Sequence, residues 1–304
     1  MKNHFNFINN RIYFYIFSLV LFAAAVFSIF HYGFNLGIDF AGGSIEKVKF
    51  SKQVDKNQIE STIKNAGFDY SIIQPSGDEY FIRTKVLDET THTKLKKSLQ
   101  KIGDYKELSF ETVGPSVSND LKRKTIWGVG LVSLAIILYI AYAFRTVPKG
   151  YSGFVFGITA VIALLHDATI LAGIFAFLGH FFKNIVIDSY FITALLTTGG
   201  YSVHDTIVVV DRLRENLISR EGGIAALANL SLWQVLTRSI STSLTTLFVS
   251  LSLFLLGGES IRNFALALVV GVTVGTYSSI FVAVPLVVDW YNKKLSSPKA
   301  RSRF

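Results

Sequence analysis

The sequence predicts a polytopic α-helical membrane protein that carries a small α+β domain between its first and second membrane-spanning helices. Half of the 304 residues are hydrophobic, 26 are Phe, and only 17% are charged; the mean hydropathy is +0.43. The apolar residues fall into six separate blocks, each roughly 20 residues long, the length of helix that crosses a bilayer core of about 30 Å. The blocks are at about 12–32, 126–144, 153–179, 189–210, 240–256 and 264–289.

The first block shares features with a signal peptide, but its length favours a membrane-spanning helix. Lys2 and Arg11 form a positive start, and the alanines at 23–25 have the small side chains of a cleavage site. The apolar run continues through Phe30, which is longer than the hydrophobic region of a signal peptide. We therefore assign residues 1–32 to a cytoplasmic N-terminus and an uncleaved first helix.

Basic residues flank alternate blocks, which indicates the orientation of the helices. Positive residues are enriched on the cytoplasmic side of membrane helices, and only Lys183 and Arg262 occupy the short loops on the other side. This pattern predicts cytoplasmic termini, an exported segment at 33–125, a helical bundle at 126–290 and a basic tail at 291–304. The positive residues assigned to the cytoplasm are Lys2, Arg11, Arg145, Lys149, Arg212, Arg214, Arg220, Arg238, Lys293, Lys294, Lys299, Arg301 and Arg303.

The net charge of +9 is therefore mostly a topology signal. Proteins that bind nucleic acid collect their basic residues in a patch, whereas here these residues flank helices. No nucleic-acid partner is predicted, and the lipid bilayer is the expected surrounding.

The segment between the first two blocks predicts a ferredoxin-like α+β domain. Alternating apolar residues, typical of half-buried strands, and two amphipathic helices occur in the order strand–helix–strand–strand–helix–strand, the split β-α-β arrangement. Such a domain could be a spacer or a surface that contacts cargo or a partner. The predicted strands are 44–50, 69–74, 79–84 and 107–113, with a turn at 75–78, and the helices are 55–66 and 88–102.

Several classes of site are excluded or disfavoured by composition. With no cysteine, disulfides and thiolate metal sites cannot form. The six histidines include no HExxH pair, and no phosphate-binding G-x-x-x-x-G-K-[ST] loop is present. The sequence therefore predicts no metal, no cofactor and no ATP-driven pump. An intramembrane enzyme is also disfavoured, so any work must draw on an ion gradient or on a partner.

The block 189–210 contains the most informative residues, His204 and Asp205. A carboxylate at the centre of a bilayer costs about 2.5–3.5 kcal/mol on insertion scales, so such residues usually face a bundle interior and mark an ion or substrate path. Gly199 and Gly200 precede this pair and permit close approach of another helix. The alternative role for Asp205 is a permanently paired carboxylate that sets helix register.

Neighbouring blocks contain further polar residues. Arg238 could be the positive partner of an intramembrane carboxylate or an interfacial anchor. His166 and Asp167 lie near the middle of the third block, where they are either part of a proton relay or an interhelical hydrogen-bonded pair. Gly271 and Gly275 form a small-xxx-small pair that predicts helix packing. A hydroxyl-rich stretch could line a hydrated seam or simply pack helices: Ser239, Ser241, Ser243, Thr245 and Thr246.

Four motifs follow one another along the chain. They are GIDFAGG at 37–43, VGP at 113–115, GYSVHDTIVVVDRLREN at 200–216 and SLWQVLTRS at 231–239. Together with the six apolar blocks, they resemble the SecF family, the smaller membrane subunit of the SecD–SecF protein-export complex. The resemblance covers nearly the whole chain, and the last two motifs are the most specific.

The resemblance implies a function and residue roles. SecF-like proteins work with SecD beside the SecYEG channel in the bacterial inner membrane, where the proton-motive force completes export of unfolded secretory proteins. They belong to the RND superfamily, so this chain would supply one transmembrane half and a SecD-like subunit the other. Asp205 matches the family's proton-carrying Asp and Arg238 the Arg beside the proton path. His204 replaces the usual Asn, and an imidazole there either joins the relay or acts as a hydrogen-bonding substitute.

Two other classes of function remain open at this point. A small-molecule RND-like exporter half would require a paired half or a larger exported domain than 33–125. A non-transporting assembly scaffold would tolerate neutral substitution at Asp205 and Arg238. H⁺ and Na⁺ are both candidates for the coupling ion.

Overall fold

Two compact units make up the chain in the structure, a computed structural model that describes residues 5–68, 72–76, 78–145, 147–148 and 150–296. The helical unit comprises Met1–Gly33, Gly128–Phe177 and Tyr190–Phe304, and the α+β unit comprises Phe34–Trp127 and Leu178–Ser189. In chain order the elements are α1 (Arg11–Tyr32), α2 (Ile38–Ala41), β1 (Gly43–Phe50), α3 (Lys56–Asn65), β2 (Ile72–Ser76), β3 (Glu79–Thr84), α4 (Glu89–Gln100), β4 (Tyr105–Val113), α5 (Pro115–Ala143), α6 (Gly153–Phe181), α7 (Ser189–Ser219), α8 (Ile224–Leu256), α9 (Glu259–Ser278), a π-helical segment (Ser279–Ala283) and α10 (Val284–Ser296).

Within the described residues, five helical stretches are long and apolar enough to cross a membrane, judged by length and composition. They are α1, α5, α6, α8 and the stretch Ile261–Lys293, which runs from α9 into α10. The predicted block 189–210 lies in α7, which is outside this group because hydroxyl, glycine and charged residues interrupt its apolar sequence. A multi-pass helical membrane protein is thus confirmed with five candidate spans, and a sixth crossing by α7 stays a prediction.

The outer faces of α1 and α5 are apolar. Phe30 on α1 is 86% exposed and Leu131 on α5 is 68% exposed, whereas Phe156 and Phe175 on α6 are fully buried. Contiguous apolar residues at a surface mark contact with lipid or with another protein. The two helices therefore present faces that suit the hydrocarbon of a bilayer.

Polar bonds attach α1 to the rest of the helical unit. Arg11 Nε pairs with Asp289 Oδ1 at 2.9 Å, and the Tyr15 hydroxyl donates to the other oxygen of that carboxylate at 3.1 Å. The Tyr277 hydroxyl donates to the carbonyl of Phe14 at 2.9 Å. Each bond joins one particular residue of α1 to one particular residue of α9 or α10. Together the bonds therefore set the register of α1 against these two helices.

α8 begins at Ile224, well before the predicted start at residue 240. Its first turns are amphipathic: Ala228 and Leu232, one turn apart, are fully buried. The polar residues between them lower the hydropathy of this stretch, which is why the apolar pattern did not reveal it. Trp233 Nε1 donates to the carbonyl of Phe5 at 2.8 Å and holds the N-terminal segment against these turns.

The described part of the α+β unit contains a four-stranded sheet with the order β2–β3–β1–β4. Every neighbouring pair of strands is antiparallel. Helix α3 connects β1 to β2 and α4 connects β3 to β4, so two split β-α-β units interleave in one sheet. A register shift between Lys47 and Val48 in the β1–β4 pairing marks a β-bulge, which increases the local twist.

One face of the sheet packs against α3 and α4 around an apolar core. Tyr80 and Ile82 on β3 are buried, because alternate side chains of a strand point to the same face. A capping box begins α4: the Asp88 carboxylate accepts from the Thr91 backbone N–H at 2.8 Å. Other core residues are Val48, Phe50, Ile59, Ile63, Ile73, Leu95 and Leu99.

The β2–β3 hairpin differs from the prediction. Pro75 and Ser76 belong to β2 and pair with Tyr80 and Glu79, so the predicted turn at 75–78 is wrong for these two residues. Pro75 is compatible with this position because β2 lies at the edge of the sheet. Residues 69–71 of the predicted strand 69–74, residue 77 of the turn and residues 297–304 of the predicted tail lie outside the described residues.

A buried carboxylate, Glu46 on β1, lies in this unit. Its side chain is 1% exposed, and neither of its oxygens has a hydrogen-bond partner among the described residues. Burial foremost, and then the negative charge of Glu107, raise the pKa of Glu46 to about 7, whereas Lys96 lowers it. Between the ordinary value of 4.5 and this value the folded state binds more protons than the unfolded state, so stability falls as pH rises through that window.

Replacing Glu46 with Gln should stabilise the α+β unit at about pH 8 but not at about pH 4, because the amide avoids burial of a charge. One pKa unit corresponds to about 1.4 kcal/mol, so the rise from 4.5 to about 7 predicts a gain of about 3 kcal/mol. Hydrogen exchange of β1 and β3 amides, corrected for its intrinsic pH dependence, measures this gain; EDTA keeps stray cations away from the carboxylate. Glu60→Gln, at an exposed position of α3, is the control, and an equal gain at both pH values would contradict the stated cause.

Candidate functional site

In the described part of the helical unit, two carboxylates are buried. Asp167 on α6 is 6% exposed and Asp205 on α7 is 4% exposed. A polar group that is removed from water needs compensating hydrogen bonds. Both carboxylates receive them from hydroxyl groups on other helices.

Adjacent serines at the end of α9 serve the two carboxylates. Ser278 Oγ donates to Asp167 Oδ2 at 2.6 Å, and Ser279 Oγ donates to Asp205 Oδ2. Ser202 on α7 also donates to Asp167 Oδ2, at 2.7 Å. Asp167 therefore links α6 to both α7 and α9, and two consecutive residues connect the two carboxylates.

The helix changes its winding where these serines lie. The segment Ser279–Ala283 is π-helical and joins α9 to α10. Pro285 follows it; proline has no N–H to donate to the carbonyl four residues earlier, and its ring crowds that carbonyl. The wider π winding accommodates both effects. π segments are rare and frequently occur at functional sites.

A chain of hydrogen bonds continues from Asp167 to α1. His166 Nδ1 lies 3.0 Å from Asp167 Oδ1, and His166 Nε2 lies 2.6 Å from Ser18 Oγ. If Asp167 is ionised it can only accept, which places the imidazole proton on Nδ1 and makes Ser18 the donor to Nε2. The Phe22 ring stacks on the imidazole, with ring centroids 6.0 Å apart and planes 7° from parallel.

The order Ser18, His166, Asp167 has the connectivity of a nucleophilic triad, but its surroundings differ from those of one. A nucleophile must reach a bound substrate, whereas the Ser18 side chain is 6% exposed. Asp167 also accepts hydrogen bonds from Ser202 and Ser278. The arrangement is better interpreted as a polar connection among α1, α6, α7 and α9.

Close contacts hold α9 against α7 beside the carboxylates. A Cβ atom at Gly271 would lie 2.6 Å from Thr198 Oγ1, and one at Gly275 would lie 2.8 Å from Ser202 Cβ. Both separations are shorter than van der Waals contact, so these positions need glycine for the helices to approach this closely. This approach brings the serines of α9 within reach of the carboxylates.

Gly199 and Gly200 lie in two different environments. A Cβ atom at Gly199 would lie 2.6 Å from Leu164 Cδ1 on α6, whereas one at Gly200 would have no atom of the described chain within 4 Å. Gly199 thus lies in the α6–α7 contact. Gly200 faces outward.

Two further residues of the predicted relay lie on the outside of the helical unit. His204 and Arg238 are exposed, although Asp205 is buried. Among the described residues, Arg238 forms no ion pair. The structure therefore brings Asp205, Asp167 and His166 together through serines, and it does not bring Arg238 to Asp205.

The hydroxyl-rich stretch of α8 has two faces. Ser243 is buried, whereas Ser241 and Thr245 are exposed. Ser243 Oγ accepts from the Tyr201 hydroxyl on α7 at 3.0 Å and from Thr276 Oγ1 on α9 at 2.7 Å. The inward face is thus a second polar contact among α7, α8 and α9.

The sequence pattern did not reveal the serines that bond to Asp167, Asp205 and His166. Ser18, Ser202, Ser278 and Ser279 are unremarkable by type, because a serine in a helix can bond to its own backbone and needs no partner. The available signal was the pair Ser278-Ser279 shortly before Pro285, where the backbone has to depart from regular α-helix.

Both serines have a second hydrogen-bond acceptor besides the carboxylate. For Ser279 it is the carbonyl of Thr276, which lies 3.0 Å from its Oγ. Ser278 has a similar second acceptor, the carbonyl of Gly275 at 3.2 Å. Each serine can therefore exchange a carboxylate for its own backbone.

Replacing Gly271 with Ala should destabilise the helical unit, because the added methyl group meets Thr198. Overpacking of this kind costs about 1–3 kcal/mol and should lower the apparent melting temperature of the detergent-solubilised chain. Gly200→Ala, at an outward position, should not lower that temperature, since alanine favours a helix more than glycine does. Equal effects of the two substitutions would show that the α7–α9 contact is not the cause.

Family profiles match most of the chain. A profile described as "Protein export membrane protein SecD/SecF, C-terminal" matches residues 93–293. A second, described as "SecD/SecF GG Motif", matches residues 27–54.

Individual relatives are similar over nearly the whole length. The protein translocase subunit SecF of Thermobaculum terrenum is 41% identical in an alignment of 298 positions that covers 93% of this chain and 93% of its own. SecF of Haemophilus influenzae is 36% identical, over 90% of this chain and 82% of its own. The crystal structure of SecDF, a translocon-associated membrane protein from Thermus thermophilus, superposes with a TM-score of 0.84 at 35% identity, and the match covers 96% of this chain and 39% of that one.

Proposed function

Because the chain belongs to the SecD/SecF protein-export family, we propose that it is a SecF-type subunit of the bacterial inner membrane that couples an ion gradient to late protein translocation. Membership of this family supports the first part of the proposal, an accessory role in protein export. The coupling to a gradient rests on one observation, the burial of Asp205 against a serine of a π-helical segment.

Protonation of Asp205 would act on the winding of the π segment. A neutral carboxyl holds the Ser279 hydroxyl less strongly, since hydrogen bonds to an ionised acceptor are the stronger ones. Ser279 can then bond to the Thr276 carbonyl, and the segment between α9 and α10 loses its tie to α7. A proton that crosses about 100 mV releases roughly 2.3 kcal/mol, enough to shift a balance between two packings.

We also propose that the α+β unit is an exported ferredoxin-like domain that handles the cargo. The shift in the helical unit would change how this domain holds an unfolded secretory protein that leaves the SecYEG channel. The placement of Lys and Arg along the sequence supports cytoplasmic termini and export of this unit. Holding the emerging chain would prevent it from sliding back.

The exposed polar residues of α7 and α8 fit a surface that a SecD-like subunit would cover. Gly200 and His204 on α7, and Arg238 and Ser241 on α8, are exposed, and a charged group that faces lipid is costly. A second transmembrane half would cover these residues and could supply a carboxylate to Arg238. The longer SecDF protein of Thermus thermophilus, of which this chain matches 40%, is consistent with a partner half on the same polypeptide.

A non-transporting scaffold is the second candidate. Each buried carboxylate accepts a hydrogen bond from at least one serine on another helix, which also fits a role in setting helix register. A small-molecule exporter half has less support, because the relatives are translocase subunits.

Replacing Asp205 with Asn should abolish gradient-stimulated export and leave the protein in the membrane. The amide keeps the shape of the side chain but cannot exchange a proton at physiological pH. The measurement is release of a secretory reporter from vesicles that contain the complete export complex, with and without an ionophore, at matched membrane abundance of the variant.

Asp211→Asn is the matched control, because Asp211 lies on the same helix, its side chain is 55% exposed, and it pairs with Arg214 at 3.0 Å. This variant should retain gradient-stimulated release. If Asp205→Asn also retains it, the carboxylate is structural and the scaffold is the better description. Loss of the Asp205→Asn protein from the membrane would assign the same structural role.

A further inference from the structure

Three residues that are far apart in the sequence converge in the α+β unit. Glu46 on β1, His92 on α4 and Glu107 on β4 each place one donor atom so that these atoms all lie within 4.8 Å of one another. Because each comes from a different element, no spacing motif in the sequence indicates the cluster. The residue types are those that bind divalent transition metals.

The two most buried members of the cluster lack hydrogen-bond partners. Both oxygens of Glu46 and the Nε2 atom of His92 are buried and unpartnered among the described residues. Glu46 Oε2 and His92 Nε2 are 3.6 Å apart, an ion-pair distance if the imidazole is protonated, but too far for a hydrogen bond between them. Burying such groups without a partner costs about 1–3 kcal/mol each, so the cluster is arranged as if for a ligand.

The surrounding contacts orient the donor atoms. The His92 ring stacks on Phe110, with ring centroids 3.6 Å apart and planes 13° from parallel. Lys96 Nζ contacts Glu107 Oε2 at 2.6 Å. A carboxylate has two oxygens, so Glu107 can bind a cation with the other one while it keeps its contact with Lys96.

We propose that Glu46, His92 and Glu107 form a Zn²⁺ site in the α+β unit. Zn–N and Zn–O bonds of about 2.0–2.2 Å place two ligand atoms of a tetrahedral ion about 3.4 Å apart. The separation of 3.6 Å between Glu46 and His92 is close to this value, and the donor atom of Glu107 lies within 4.8 Å of both. The imidazole disfavours Mg²⁺ and Ca²⁺, which prefer oxygen ligands.

A bound ion would connect β1, β4 and α4 at one point. Its charge would be balanced by the two carboxylates, and Lys96 would remain at the rim. Three protein ligands leave a fourth position for water, which is the coordination of an exchangeable site. The inference is independent of ion coupling in the helical unit.

The full chain, purified in detergent without a polyhistidine tag and stripped with EDTA, provides the test. Zn²⁺ is titrated against it, and bound metal is measured by mass spectrometry after desalting. One ion per chain is expected, and Glu46→Gln and His92→Gln should each weaken binding at least about tenfold. Co²⁺ in place of Zn²⁺ gives visible bands that report the imidazole ligand and should change in His92→Gln.

Glu60→Gln and His31→Gln, at exposed positions, are the controls and should bind like the native chain. Hydrogen exchange of β1 and β3 verifies that the variants are folded, and Glu46→Gln replaces a buried charge with a neutral group of the same shape. Absence of stoichiometric binding, or equal affinity in the native chain and in both cluster variants, would overturn the proposal.

Discussion

The polar interior of the helical unit depends on the hydrogen bonds that Ser278 and Ser279 donate to two carboxylates. Asp167 and Asp205 belong to different helices, and burying either carboxylate without a hydrogen-bond donor would cost free energy. Consecutive residues of a helix point about 100° apart, so neighbouring serines can serve carboxylates on two helices at once. The links through His166 to α1 and through Ser202 to α7 extend from this point.

Two local sequence features make that arrangement possible. The glycines at 271 and 275 remove the side chains that would keep α9 away from α7, and Pro285 accounts for the π winding at the serines. Neither feature is polar, yet both position polar groups. Helix contact, backbone winding and carboxylate burial are therefore parts of one arrangement.

The sequence predicted most of the architecture because hydrophobic periodicity directly reflects burial and span length. It predicted the order of strands and helices in the α+β unit, and it singled out Asp205, which is buried in the structure, since an acidic residue in an apolar block is conspicuous. It did not predict the serine donors, because hydroxyl groups in helices are common. The outward position of Arg238 could not be predicted either, because the charge pattern of one chain does not say which face of a helix a second protein covers. Glu46, His92 and Glu107 meet only through strand pairing, a long-range effect that no local pattern records.

The close contact of α9 with α7 at Gly271 and Gly275 also limits how the helices can move. Where Gly271 and Gly275 lie directly against Thr198 and Ser202, α9 cannot roll on α7, since rolling would drive side chains into backbone. The two helices should therefore move together as one rigid body. Helix α10 can move relative to this pair, because the π-helical segment and Pro285 separate it from α9. Helices α1 and α6, which hydrogen bonds join to the pair, can also move. α10 would therefore rotate about the π-helical segment while the α7–α9 pair stays fixed.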